Sequence, residues 1–263
     1  MTARFPQPAH PPRSAYPPAG YAVRTPDRQA PLRLFCFHHA GGTAAIYNGW
    51  DRALGPEISV VPVQLPGRER RVREPRIVEL EPLLDELQHH LGPHLDAPYA
   101  LYGHSMGALV AYALTRRRVE AGERPPERLL VGAYPAPHRQ PVLTEVRHMS
   151  EERLTRLLVD IGGMSPTLLE YPDWRTAALE LIREDLRICH GYRHTPGPPL
   201  PVPVHALTGT DDPLLSPESA AEWAEHAGAG FALHELPGGH LFIRDAAGQV
   251  HGLLRSLLAT VRK

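Results

Sequence analysis

Cysteine is nearly missing from this chain of 263 residues: there are two, Cys36 and Cys189, far apart in sequence. Two such residues exclude a disulfide framework and a thiolate metal cluster, and they fit a reducing compartment, so a cytoplasmic setting is expected. An excess of charge of one sign is missing too, since 28 Lys and Arg face 29 Asp and Glu. Without a global field the chain is not expected to bind nucleic acid or an anionic membrane surface. No stretch approaches the roughly 18 consecutive apolar residues of a membrane-spanning helix, and the first twenty residues lack the apolar core of a signal peptide. Hydrophobic residues are not scarce, at 42% against 22% charged. That balance suits a globular core and excludes wholesale disorder, and the length suits one α/β domain.

Proline is in excess, at 30 residues, and eight of these fall within positions 1–31. So many missing N–H donors and fixed φ angles prevent helices and ladders, so residues 1–30 read as a Pro-rich tail, either a solvated extension or a polyproline II docking ligand. Residues 31–263 read as the domain. Apolar runs at 32–37, 59–63, 99–102, 129–132, 202–207 and 231–236 have the density of parallel strands covered on both faces. Helical periodicity lies at 79–91, 108–120, 217–227 and 244–260, giving the βαβ alternation of an α/β sheet. About 70 residues separate the fourth and fifth strands, more than a crossover needs. This interval holds an insertion at about 145–200 with helical patterns at 151–161 and 174–189. It reads either as a lid over a pocket or as helices that thicken the core. As a lid, its roofing residues would be Leu154, Leu158, Ile161, Met164 and Leu168, with Leu157 and Leu169.

The strongest chemical signal is Gly103-His104-Ser105-Met106-Gly107, placed between a strand and a helix. A sharp strand-to-helix turn exposes a serine hydroxyl at the sheet edge, and the flanking glycines leave room for it. A hydroxyl needs a base to become a nucleophile. Among 16 histidines, His240 stands out because Gly238-Gly239-His240 follows the sixth strand at the same edge. The imidazole needs an orienting carboxylate, and the order Ser, Asp, His is that of α/β hydrolases. Asp211 and Asp212 both follow the fifth strand; Asp212 is favoured, because Pro213 after it holds its backbone extended. An oxyanion hole requires two backbone N–H groups: Met106, after the nucleophile, and Ala40, within His38-His39-Ala40-Gly41-Gly42 after the first strand. His89, His90 and His94 cluster around one helix end but lack the H-E-x-x-H or cysteine spacing of a zinc site. No metal or cofactor is expected.

Taken together, Phe37-His38-His39-Ala40-Gly41-Gly42, Leu65-Pro66-Gly67-Arg68, Tyr102-Gly103-His104-Ser105-Met106-Gly107, Ala136-Pro137-His138 and Gly238-Gly239-His240-Leu241-Phe242 resemble the motifs of type II thioesterases of polyketide and nonribosomal peptide synthesis. The resemblance covers roughly residues 31–262. It implies an α/β-hydrolase fold with a helical lid and catalytic roles for Ser105, Asp212 and His240. It further implies a partner: an acyl- or peptidyl-carrier protein whose phosphopantetheine arm carries an aberrant or stalled acyl group. Members usually have proline where His38 stands. A free-standing esterase or lipase acting on small esters would use the same residues and is the alternative. The stretch 66–76 carries five arginines. Arg70, Arg71 and Arg73 either dock an acidic carrier or form a solvated loop paired with Glu69 and Glu74.

Overall fold

The computed structural model of the protein describes residues 20–139, 146 and 149–259. Six strands form one parallel sheet in the order β2-β1-β3-β4-β5-β6: β1 (Leu32–Phe37), β2 (Ile58–Val63), β3 (Tyr99–His104), β4 (Arg128–Gly132), β5 (Val204–Gly209) and β6 (Phe231–Leu236). β1 lies second from one edge; the chain steps outward from it to β2 and returns to its other side with β3. This reversal opens a crevice beyond the carboxyl ends of β1 and β3, the place where open α/β sheets bind ligands. β3 and β5 are buried along their whole length, and β1 at every position but Arg33, because helices cover both faces.

On one face lie α2 (Leu80–Leu91) and α3 (Met106–Glu120). In α2, Leu80, Leu83, Leu84, Leu87 and Leu91 repeat at the three- and four-residue spacing of a helix face, and all five are buried. On the other face lie α1 (Trp50–Leu54), α7 (Phe242–Asp245) and α8 (Ala247–Ala259), whose Val250, Leu254 and Leu258 are buried. A short α6 (Pro217–Ala221) precedes a 3-10 turn at Glu222–His226. Between β4 and β5 comes the helical insertion. It contains α4 (Glu151–Asp160), a 3-10 turn at Pro166–Glu170 and α5 (Pro172–Gly191). Ser150 starts α4 by accepting the Arg153 N–H, which satisfies one orphan donor of the first turn.

Several boundaries differ from those read in the sequence. β5 begins at Val204 because Pro201 and Pro203 cannot donate to a ladder, and it runs on to Gly209 against Leu236. The last helical pattern is broken at Ala246 into α7 and α8, and α1 lies in a stretch with no expected element; both α1 and α7 are too short to show a period. The tail boundary also moves. Tyr21 is buried, Ala22 bridges antiparallel to Val63, Val23 N–H donates to the Pro62 carbonyl and Gln64 N–H to the Tyr21 carbonyl. Residues 21–23 therefore line the outer edge of β2 as part of the domain; residues 1–19 lie outside the described residues. Both cysteines are buried and unbridged, and burial pushes both thiols up. Among the described residues no helix is long and apolar enough to cross a membrane.

Candidate active site

Four loops meet at the carboxyl edge of the sheet, after β1, β3, β5 and β6. The turn from β3 to α3 carries Ser105, held at φ 53° and ψ −121°. A non-glycine residue with positive φ costs on the order of 1–3 kcal/mol and needs support from its surroundings. Here the support is tight contact. A Cβ on Gly103 would overlap the Gly107 carbonyl, and one on Gly107 would overlap the Phe37 carbonyl, so both flanking positions tolerate only glycine. The Ser105 N–H also donates to the Gly132 carbonyl at 2.7 Å, tying the turn to β4.

The loops after β5 and β6 are tied together in turn, with Asp211 N–H donating to the Gly238 carbonyl at 2.9 Å. Ser105 Oγ lies 3.1 Å from His240 Nε2, and His240 Nδ1 lies 2.9 and 3.2 Å from the two carboxylate oxygens of Asp212. The Asp212 side chain is fully buried and also accepts the Leu214 N–H. Asp211 is exposed and, among the described residues, accepts from the neighbouring Thr210 hydroxyl. With Nδ1–H donated to Asp212, His240 presents the Nε2 lone pair to the serine hydroxyl, which is the tautomer a general base requires.

His104, to which the sequence reading gave no role, fixes the main chain of that base. Its Nε2 donates to the His240 carbonyl at 2.7 Å, so its Nδ1 accepts from Tyr102 OH at 3.2 Å. Burial, with His240 and His39 close by, holds the His104 imidazole well below the usual histidine range. It is a neutral strut. The pattern G-H-S already shows a histidine beside the nucleophile, but not that it faces into the core.

The loop 38–42 after β1 turns back on itself through Gly42 N–H to the His39 carbonyl, which also accepts from His38 Nδ1 at 2.9 Å. The Gly41 N–H donates to Asp185 of α5 at 2.7 Å. Ala40 N–H is left without an acceptor among the described residues, as is Met106 N–H, a free donor at the start of α3. The pocket in front of Ser105 is walled by His39, Ala40, Leu158, Ile161, Gly163, Ile182, Leu186, His240 and Leu241. The pocket is narrow, with about 30 Å³ open to the centre of a water-sized sphere.

Of the expected roofing residues, Leu158 and Ile161 reach this wall. Leu154 and Met164 are buried in the adjoining core, and Leu168 is half-buried beside it, so these three lie off the pocket wall. The residues missed are Ile182 and Leu186 of α5. Their helical stripe was visible, but a stripe does not say what it faces.

The arginine stretch divides in two. Arg71 is buried, forks onto Glu74 with a shortest contact of 2.6 Å, donates to the Gln64 carbonyl and stacks over the Tyr21 ring at 3.9 Å. It is not free to meet a partner, which corrects the expectation for this residue. Arg68 is buried against Asp185, and Arg76 pairs with Glu184 at 2.8 Å. Arg70 and Arg73 are exposed. Among the described residues no group of three or more His, Cys, Asp or Glu side chains is arranged to hold a metal ion.

The chain is similar to known thioesterases. A family model described as a thioesterase domain matches residues 32–258. A protein named linear gramicidin dehydrogenase LgrE, from Brevibacillus parabrevis, is 34% identical over 88% of this chain and 89% of its own length. The solved structure of RedJ, a thioesterase from the prodiginine biosynthetic pathway of Streptomyces coelicolor, superposes with a TM-score of 0.83 at 36% identity, covering 93% of this chain and 96% of that one. That of BorB, a type II thioesterase from the borrelidin biosynthetic cluster, gives 0.79 at 37% identity over 89% and 95%.

Proposed function

From a chain that belongs to the thioesterase family, with an α/β-hydrolase fold, we propose a type II editing thioesterase that hydrolyses acyl or peptidyl groups from the phosphopantetheine thiol of carrier proteins. The observation that carries the reading is the hydrogen-bonded series Ser105, His240, Asp212 at the mouth of an apolar pocket. His240 takes the Ser105 proton through Nε2 as Oγ attacks the thioester carbonyl. Asp212 holds the imidazole in place and stabilises the imidazolium. The N–H groups of Ala40 and Met106 receive the oxyanion, aided by the positive end of α3. The tetrahedral intermediate expels the thiolate, which takes the proton back from His240. Water then enters, loses a proton to the same nitrogen and attacks the acyl-serine; the second tetrahedral intermediate expels Ser105 Oγ, which takes that proton from His240, and a free acid leaves.

RedJ comes from the prodiginine biosynthetic pathway and BorB, a type II thioesterase, from the borrelidin biosynthetic cluster, and this points to a carrier-bound substrate over a soluble small ester. Exposed Arg70 and Arg73 suit an acidic carrier and its phosphate-bearing arm. The test compares kcat/KM for an acyl-carrier thioester with that for a matched oxygen ester. A preference of tenfold or more for the thioester supports the reading. Equal or better turnover of the oxygen ester returns the chain to the small-ester esterases.

A further inference from the structure

The loop that would hold the oxyanion donor is pinned from outside the sheet, by the insertion. Ala40 lies between two peptide groups. The one before it is fixed at the His39 carbonyl, which accepts from Gly42 N–H and His38 Nδ1. The one after it is fixed at the Gly41 N–H, which donates to Asp185 Oδ2 at 2.7 Å. Arg68 completes the clamp: Nη1 and Nη2 reach the two Asp185 oxygens at 2.6 and 2.7 Å, and Nη1 also donates to the Gly42 carbonyl at 3.2 Å. Both side chains of the pair are at least 96% buried. Three positions before Asp185 on the same helix, Ile182 fills the space where a Cβ on Gly41 would stand, and Gly41 adopts φ +73°. α5 thus touches this loop by an apolar contact and a charged one.

A buried ion pair is weak evidence for stability, because apolar residues of similar volume often hold a fold as well. What apolar residues could not supply is an acceptor for Gly41 N–H and a donor for the Gly42 carbonyl. We propose that Asp185 and Arg68 are positioning residues for the oxyanion hole, aiming Ala40 N–H through the peptides on either side of it. The inference rests on the serine mechanism given above. It also makes the insertion part of the catalytic apparatus, since α5 cannot leave the sheet without releasing Gly41 N–H.

The test uses the full chain with Asp185→Asn and the apolar pair Arg68→Met/Asp185→Leu. Removing a whole oxyanion donor costs about 10²–10³ in kcat, so misaiming one should cost roughly tenfold in Asp185→Asn, where an amide N–H₂ faces the guanidinium, and about a hundredfold in the apolar pair. KM for a small acyl thioester should stay within about twofold. The Ki of an acyl boronate, which forms a tetrahedral adduct on serine, should rise in parallel with the loss in kcat, while the Ki of the product acid should not. The apolar pair guards against misfolding, because it leaves no uncompensated charge and should unfold within a few degrees of wild type. Unchanged boronate affinity, kcat kept within threefold, or losses only in step with a lowered Tm would overturn the proposal. Labelling of Ser105 by a fluorophosphonate separates the two readings, since it uses the oxyanion hole but no thioester. A wild type inert to thioesters that still labels, and labels at least tenfold more slowly with Asp185→Asn, upholds the positioning role while the proposed substrate fails. A wild type that does not label overturns both.

Discussion

Lowering the pH from 7 to 5 should destabilise this fold through His38. Its ring lies at the end of β1, almost wholly buried, and burial together with the nearby Arg68 guanidinium lowers its pKa to about 3. An unfolded histidine titrates near 6.5. As the pH falls below about 6.5 the unfolded chain gains a proton that the folded chain refuses until about pH 3. Stability contributed by the neutral ring is therefore complete above the unfolded value, falls across this window and levels off beneath it. At pH 5 the unfolded site is about 1.5 pH units past its midpoint, which corresponds to about 2 kcal/mol lost at this one residue. Replacing His38 with asparagine places an amide N–H near the position of Nδ1, keeping a donor for the His39 carbonyl and removing the titration. Urea unfolding of wild type and His38→Asn at pH 7 and pH 5, at fixed ionic strength, can be followed by the fluorescence of the buried Trp50 and Trp223. Carboxylate contributions are common to both proteins and cancel. Wild type should lose about 2 kcal/mol more than the variant between the two pH values, and equal losses would refute the reasoning.

Ser105→Ala should lower kcat by roughly 10⁴–10⁶ with the fold intact by circular dichroism, and Asp212→Asn by about 10⁴ through the wrong His240 tautomer, whereas Asp211→Asn should stay near wild type in the same steady-state assay. Gly107→Ala forces a methyl group onto the Phe37 carbonyl and should abolish soluble expression or lower Tm by many degrees, while Gly252→Ala, with open space around it, should not. Reversing Arg70 and Arg73 to glutamate should raise KM for acyl-carrier substrates, with an effect that shrinks as salt is raised, and should spare a small acyl thioester; equal losses on both would assign the arginines to the active site itself.

The strands were legible because a parallel strand covered on both faces is a continuous apolar run, and β1 and β6 were bounded to the residue by the turn signals beside them. Ser105, the pair Asp211 and Asp212, and His240 were legible because each follows a strand at the same edge, so chain order brings them to one place, and Pro213 favours Asp212 within the pair. The partner of Arg68 was not. Asp185 is distant in sequence, and Arg68 is one of five arginines whose environments differ sharply although their local sequence does not. A trace existed in α5, where Asp185 sits in the apolar stripe between Ile182 and Leu186, and a carboxylate there calls for a buried cation. Tyr21 was hidden differently, as one aromatic residue in a proline-rich stretch whose contact with β2 depends on tertiary structure.

Residues 21–23 do more than extend the domain. β2 is the outermost strand on its side, and an outermost strand with open N–H and C=O groups invites pairing with another molecule. The chain closes part of that side with its own leading segment, fastening it at the Pro62 carbonyl and the Gln64 N–H and seating Arg71 on the Tyr21 ring. A recombinant fragment trimmed to Leu32, where the family match begins, would keep every residue of the pocket and yet carry a sticky seam. Its failing would be self-association on concentration, with each molecule still able to turn over substrate.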